Sequence, residues 1–400
     1  MLPSVMPSDI DRVRVWFASG ALLAPDPSLP NSVDLALALA SVAGVPDVAL
    51  TENASAIAAR AAGAEHLVFV LADGLGMNLI ETLPEGSFLR QQTAMELRAV
   101  FPPTTAAALT TLATGLWPAQ HAVPSWFSYL REYDISAVVL PFVQRFTERP
   151  LQHLGVEPAR VFTKPPLMAR SALDTCSYLP AAIAGSTYTR YVTGDTPTAG
   201  YERFGEALDA AARRIAAASE PTYTYLYYPT IDSAQHENGP DAGIVHGLLT
   251  FLDLHLGEFA SRLEGRVRVV LSADHGLLFV PHESQFLLPP GDALLDLLVA
   301  PPSGEPRVPF FHVRSTHFSS FAEQFRARFG GMFALLTVDE AEELRLFGPE
   351  PLSPLARDRI GSAIALAGEP AVLLHRLDSE FLGFHAGLSP DEVRVPLVIA

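Results

Sequence analysis

Three carboxylates and three imidazoles stand in short motifs spread along the chain. They are Asp73 in LADGLG, Asp232 and His236 in TIDSAQHENGP, Asp274 and His275 in LSADHGLLF, and His385 in LGFHAGL. Each motif by itself has an ordinary reading. Asp-Gly is a common turn. An Asp four residues before a His fits a helix cap with a surface imidazole. Asp-His-Gly reads as a polar turn, and a lone loop His usually has no special role. Together, the six side chains are oxygen and nitrogen donors of the kind that bind zinc and similar divalent ions. They suffice for two ions, with positions left open for a substrate. Two ions about 4 Å apart can clamp the attacking and leaving oxygens of a phosphoryl transfer. Schemes with one ion or none leave several of these residues unexplained.

A nucleophile is available in Phe101 to Gly115, FPPTTAAALTTLATG. Pro102-Pro103 stops the preceding extended stretch, and Thr104 or Thr105 then starts a helix. A helix N-terminus offers free N–H groups and the positive end of its dipole, both suited to a phosphate. A metal beside the threonine oxygen favours the alkoxide, its nucleophilic form. Plain N-capping by threonine is the competing role.

These residues need elements to carry them. His66–Ala72 (HLVFVLA), Tyr223–Tyr228, Val267–Ser272, Ala371–Leu374 and Val395–Ala400 read as buried strands. Ala207–Ser219 and Asp241–Leu263 read as helices. Alternating strands and helices predict an α/β fold with a mostly parallel central sheet flanked by helices. The first three strands run directly into Asp73, Asp232 and Asp274-His275. In open α/β sheets, ligands sit beyond the carboxyl ends of the strands. Three strands therefore deliver acidic residues to one rim.

The chain has 400 residues, 49% of them hydrophobic and 18% charged, enough for a sizeable core. Residues 65–290 and 365–400 are expected to form the metal-binding core, with residues 1–64 packed on it as an N-terminal extension. A Pro- and Gly-rich texture marks residues 291–364 as a small inserted α+β cap, and a further insertion is expected at about 122–194. The net charge of -17 disfavours nucleic-acid polymers and anionic membranes. The only cysteine, Cys176, excludes an internal disulfide and fits a reducing compartment. No signal peptide or bilayer-length apolar run stands out, so a cytoplasmic location is expected.

The order Asp-Gly, FPPTT…TGLWPxxH, D-x-x-x-H, D-H-G and H-x-G resembles the alkaline phosphatase superfamily. Its type I phosphodiesterase/nucleotide pyrophosphatase branch is the nearest in pattern, from Asp73 to His385. The resemblance implies an alkaline-phosphatase-like fold and phosphoester hydrolysis through a covalent phosphothreonine. It implies two divalent ions, Zn first, with Mn or Fe as alternatives. One would be held by Asp73, Thr105, Asp274 and His275, the other by Asp232, His236 and His385. Thr105 matches the family nucleophile in F-P-x-x-T, and Tyr227 stands where a phosphate-contacting tyrosine often lies. The substrate would be a small phosphoester, with a nucleotide as one candidate. The chain departs from the family at Ala108, where the T-F-P-N pattern has an asparagine, and at Ala122, which replaces a glycine after His121. His121 is given no catalytic role. Phosphomonoester or phosphonate hydrolysis, a mutase of the same superfamily, and a non-catalytic metal-binding protein are the alternatives. A sulfatase is disfavoured by the lack of a C-x-P-x-R or S-x-P-x-R motif.

Overall fold

The apolar run His66–Ala72 forms a strand buried along its whole length. It is the middle strand of a seven-stranded sheet in the computed structural model, which describes residues 8–263, 265–376 and 380–400. The sheet order is Thr93–Arg98, Arg394–Ile399, Val267–Ser272, His66–Ala72, Thr222–Tyr228, Asp174–Pro180, Thr198–Tyr201. From Val267–Ser272 onward the neighbours are parallel. Arg394–Ile399 runs antiparallel to both of its partners.

Burial on both faces explains why the central strands are apolar throughout rather than alternating. The helices Ser32–Val42, Glu52–Ala61, Phe204–Ala217 and Gly243–Arg262 share the sheet's apolar core. In Gly243–Arg262 the buried side chains include Val245, Leu249, Leu252, Leu256 and Phe259, one stripe at helical spacing. None of the described helices is long and apolar enough to cross a membrane.

Three findings differ from the sequence reading. Thr93–Arg98, Asp174–Pro180 and Thr198–Tyr201 join the central sheet, although the second falls inside the stretch read as an insertion at 122–194. Val372–Leu374, expected among the core strands, pairs instead with Gln285–Leu287 in a separate two-stranded sheet. A short apolar run declares burial but not its partner. The stretches near 127–144 and 303–367, read as two insertions, build one second seven-stranded sheet together. Its first strand by chain order, Phe127–Leu130, lies between Ser303–Glu305 and Ile135–Val138. The N-terminal segment serves both layers, because Ile10 and Val13 of Asp9–Ser19 pack with Ala334, Leu336 and Leu366 of the second sheet.

Register does the positioning. Ala72 pairs with Tyr228, and Leu71 with Ser272. The three strands thus end level, and the residues after them share one edge. Gly74 (φ 72°) lets the chain turn there; a Cβ on it would lie 2.9 Å from Asp232 Cα. Gly383 lets the His385 loop lie on the Thr230–Asn238 helix, since a Cβ there would meet the Gln235 carbonyl at 2.3 Å.

A buried ion pair locks this edge to the second sheet. Arg307 and Glu392 are 1% and 0% exposed, with Arg307 Nε 2.6 Å from Glu392 Oε1 and Nη2 3.0 Å from Oε2. The guanidinium also donates to the carbonyls of Glu369 and Ala371. Glu392 accepts from the Gly387 and Ser389 amides just past His385, and its own carbonyl accepts from Gly276. Breaking such a pair leaves an uncompensated buried charge. Glu392→Ala should therefore lower the unfolding free energy by about 3–5 kcal/mol in denaturant titration, with a smaller loss for Glu392→Gln.

Candidate metal centre and active site

All six predicted ligands converge beyond the level strand ends. Asp73, Asp274 and His275 form one group of donors, and Asp232, His236 and His385 the other, with the donor atoms within 4.8 Å of one another in each group. The rings of His275 and His385 stack at 3.8 Å between centroids, so the two groups adjoin.

The histidines fix what the site presents. Nδ1 of His236 lies 2.8 Å from the Gly383 carbonyl, that of His385 3.0 Å from the Pro103 carbonyl, and that of His275 3.3 Å from the Gly276 carbonyl. A carbonyl only accepts, so each Nδ1 carries the proton. Each Nε2 then offers a lone pair. His275 Nε2 faces Asp274 Oδ2 at 3.3 Å and Asp73 Oδ1 at 3.6 Å, and His236 Nε2 faces Asp232 Oδ1 at 3.5 Å. Those three carboxylate oxygens have no hydrogen-bond partner. Acceptors therefore face acceptors in a buried place, an arrangement that a cation resolves.

Electrostatics point the same way. Burial pushes the Asp232 and Asp274 carboxyls up to about 7, and Asp73 well above the usual carboxylate range with help from the Asp274 charge. Burial also lowers the His275 imidazole to about 3, and lowers His385 well below the ordinary range, assisted by His275 and His236. The protein by itself cannot supply the positive charge these carboxylates lack. Neutral imidazoles oriented by backbone carbonyls are the usual outer support of a metal ligand. The donor set fits divalent ions.

Thr105 is the first residue of the Thr105–Thr114 helix, and its Oγ1 lies 3.2 Å from His275 Nε2. The amides of the helix's first turn have no intrahelical acceptor, and no side chain caps them. Thr104, the N-cap residue, turns its hydroxyl the other way, donating to Glu305 Oε1 at 2.8 Å. The competing cap role is thus not taken by either threonine.

Tyr227 is placed differently from what the resemblance implied. Its one hydroxyl proton goes to Asp73 Oδ2 in a short hydrogen bond, so it orients a ligand, while its ring lines the cavity beside the site. Ala108 is fully buried and clusters with Val33, Val100 and Ala107. His121 accepts from the Val123 amide at Nδ1, which leaves the proton on Nε2 to donate to Thr111. That is the opposite tautomer to the three ligands, with both nitrogens used internally.

No sequence motif points to Glu305. It ends the strand Ser303–Glu305 of the second sheet, is 6% exposed, and lines the cavity with Thr104 and Thr105. Its Oε1 also accepts from the Trp126 amide at 2.6 Å. It therefore ties the start of the threonine helix to the second sheet, across 201 residues of chain.

The model of the type I phosphodiesterase/nucleotide pyrophosphatase family matches residues 67–297, more than half of the chain. The protein belongs to this family. As a type I phosphodiesterase it is a phosphoric ester hydrolase, of a family that uses divalent metal ions. Its fold is that of the alkaline phosphatase superfamily. Human ectonucleotide pyrophosphatase/phosphodiesterase 5 superposes with a TM-score of 0.64 at 17% identity, over 83% of this chain and 87% of that one. The murine protein of the same name, in an inactive threonine-to-alanine form in complex with AMP, gives 0.61 at 16% identity, with the same coverage. No curated protein sequence matches the chain.

Two outcomes follow for this phosphodiesterase. Chelation should lower its melting temperature, and added Zn should restore it. Metal at a hundredfold excess over its dissociation constant stabilises by about 2.7 kcal/mol, so an unchanged melting curve would remove the metal centre. The second concerns Glu305, whose carboxyl burial pushes up from 4.5 to about 7. Folding favours the neutral acid, so its contribution is complete below pH 4.5 and is lost as pH rises through about 7. Across that window Glu305→Gln should gain stability relative to wild type, by roughly 3 kcal/mol at most. Denaturant titrations on both sides of the window measure it.

Proposed function

We propose that the protein hydrolyses a small phosphodiester through a covalent phosphothreonine on Thr105. The observation that carries this reading is the Thr105 hydroxyl at a helix N-terminus, within 3.2 Å of a histidine whose lone pair belongs to the metal-ligand set. The murine relative's inactive threonine-to-alanine form, bound to AMP, supports it and makes a nucleotide ester one candidate substrate.

Asp73, Thr105, Asp274 and His275 would hold one zinc-like ion, and Asp232, His236 and His385 the other. Such ions neutralise charge on the phosphoryl oxygens and favour the threonine alkoxide. The chain supplies the rest. Thr105 Oγ1 forms a bond to phosphorus as the bond to the leaving oxygen breaks. The free amides at the helix start donate to a phosphoryl oxygen, from positions set before the reaction begins. Glu305 keeps the Thr104 hydroxyl out of the way of those amides. Tyr227 steadies Asp73. Water then attacks phosphorus, the phosphorus–Thr105 bond breaks, and the threonine is restored.

The test is Thr105→Ala assayed on bis-p-nitrophenyl phosphate, with metal content measured in parallel. Turnover should fall by at least roughly 10³-fold while both ions stay bound. Near-normal turnover would sink the nucleophile assignment. Preference for the mono- over the bis-ester would instead favour a phosphomonoesterase.

A further inference from the structure

The active site does not end at the metal ligands. A cavity of about 800 Å³ opens from Thr105 and runs back between the central sheet and the helices on one of its faces. We propose that this cavity is a slot for a long apolar chain carried by the substrate. The proposal rests on the phosphodiesterase reading above and adds the substrate class to it.

Three elements set the slot's length independently. On Thr222–Tyr228 the alternate residues Tyr223, Tyr225 and Tyr227 all line it, which spans about 13 Å of strand. On Thr105–Thr114 the lining runs from Thr105 through Leu109 to Ala113, about 12 Å of helix. On Ser32–Val42 and its cap it runs from Ala36 through Ala40 to Ala43, about 10 Å. The lower wall is Phe69 and Leu71 of the central strand, next to Asp73. Protein interiors rarely hold voids larger than a water molecule. This space lies where sheet and helices would otherwise pack, and it leads to the reacting threonine.

Charge decides what the slot takes. No lysine or arginine lines it among the described residues, and its only ionisable acids are Asp73, Asp232 and Glu305, all at the reaction end. The closest guanidinium to bear on Glu305 is that of Arg145, which lies over the Phe127 ring and donates to the Pro302 carbonyl. A polyphosphate would find no counter-charge in the slot, whose other polar groups are single hydroxyls such as those of Tyr223, Tyr225, Ser171 and Ser186. Thr189 and Thr193 on the far wall already donate to backbone carbonyls. The rim continues the apolar character with Ile183, which is 36% exposed. An alkyl or acyl chain satisfies such walls, because its burial needs no polar partner.

The test is a series of p-nitrophenyl alkyl phosphates, methyl to dodecyl, on Zn-loaded protein. Burying each added methylene should raise kcat/KM roughly 4-fold until the slot is full. Ala113→Phe, which fills the slot at the end of the helix away from Thr105, should flatten that slope for the longer chains; the wild-type series decides even where this variant fails to fold. Methyl- through dodecylphosphonate titrated against Trp126 fluorescence provides a readout without turnover, since Trp126 lines the cavity. Affinity rising with chain length supports the slot. Turnover of short esters with a flat profile, or thymidine 5′-p-nitrophenyl phosphate turned over better than every alkyl ester, overturns it. No turnover of any ester would instead refute the phosphodiesterase reading. The phosphonate titration would then decide the slot alone, with length-independent binding overturning it.

Discussion

Three imidazoles give their Nδ1 protons to backbone carbonyls, and everything at the site follows from that. The ring nitrogens left over can only accept. Packed against three buried carboxylates, they make a concentration of lone pairs and negative charge, to whose carboxylates only the Tyr227 hydroxyl and the Gly74 and His275 amides donate among the described residues. Burial raises the carboxyls and lowers the His275 and His385 imidazoles, which are two expressions of one deficit. A pair of divalent ions would remove it. The Thr105 oxygen lies in the same field, 3.2 Å from the His275 nitrogen, which is what makes it the candidate nucleophile.

That arrangement is held by level strand ends and by two long-range ties. Parallel register brings Asp73, Asp232 and Asp274 to one edge. The Arg307–Glu392 pair anchors the loop behind His385 and the turn after His275. Glu305 anchors the start of the threonine helix. Both ties come from the second sheet. That sheet therefore acts as a brace for the catalytic edge, and not only as a cover over it. Its antiparallel strands come from two distant stretches of chain, so the brace exists only once both have folded together.

The large cavity has the opposite character. Its walls are apolar, its acids are confined to the reaction end, and its length is set by the periodicities of one strand and two helices. The candidate metal centre thus sits at the mouth of an apolar space. On the proposed reading, the chemistry belongs to the polar edge and selection to the apolar interior behind it.

The sequence by itself determined the α/β class and the candidate ligands and threonine that the fold brings together. These were legible because they are local: an acidic residue after an apolar strand, a His one helical turn after an Asp, a threonine after two prolines. Which neighbours a residue takes was not local. Ala108, where the resemblance expects a phosphate-holding asparagine, packs with Val33, Val100 and Ala107, and only the packing shows that. Tyr227 was found, but its hydroxyl partner was decided by the neighbouring strand. Val372–Leu374 looked like a core strand, and its pairing was decided elsewhere. Glu305 left no trace in the sequence at all, since its role depends on a hydroxyl and an amide supplied by remote segments. Residue types fixed which atoms could bind a metal. Tertiary structure alone decided which lone pairs point inward, because tautomer, burial and unpartnered oxygens are properties of neighbours that chain order does not record.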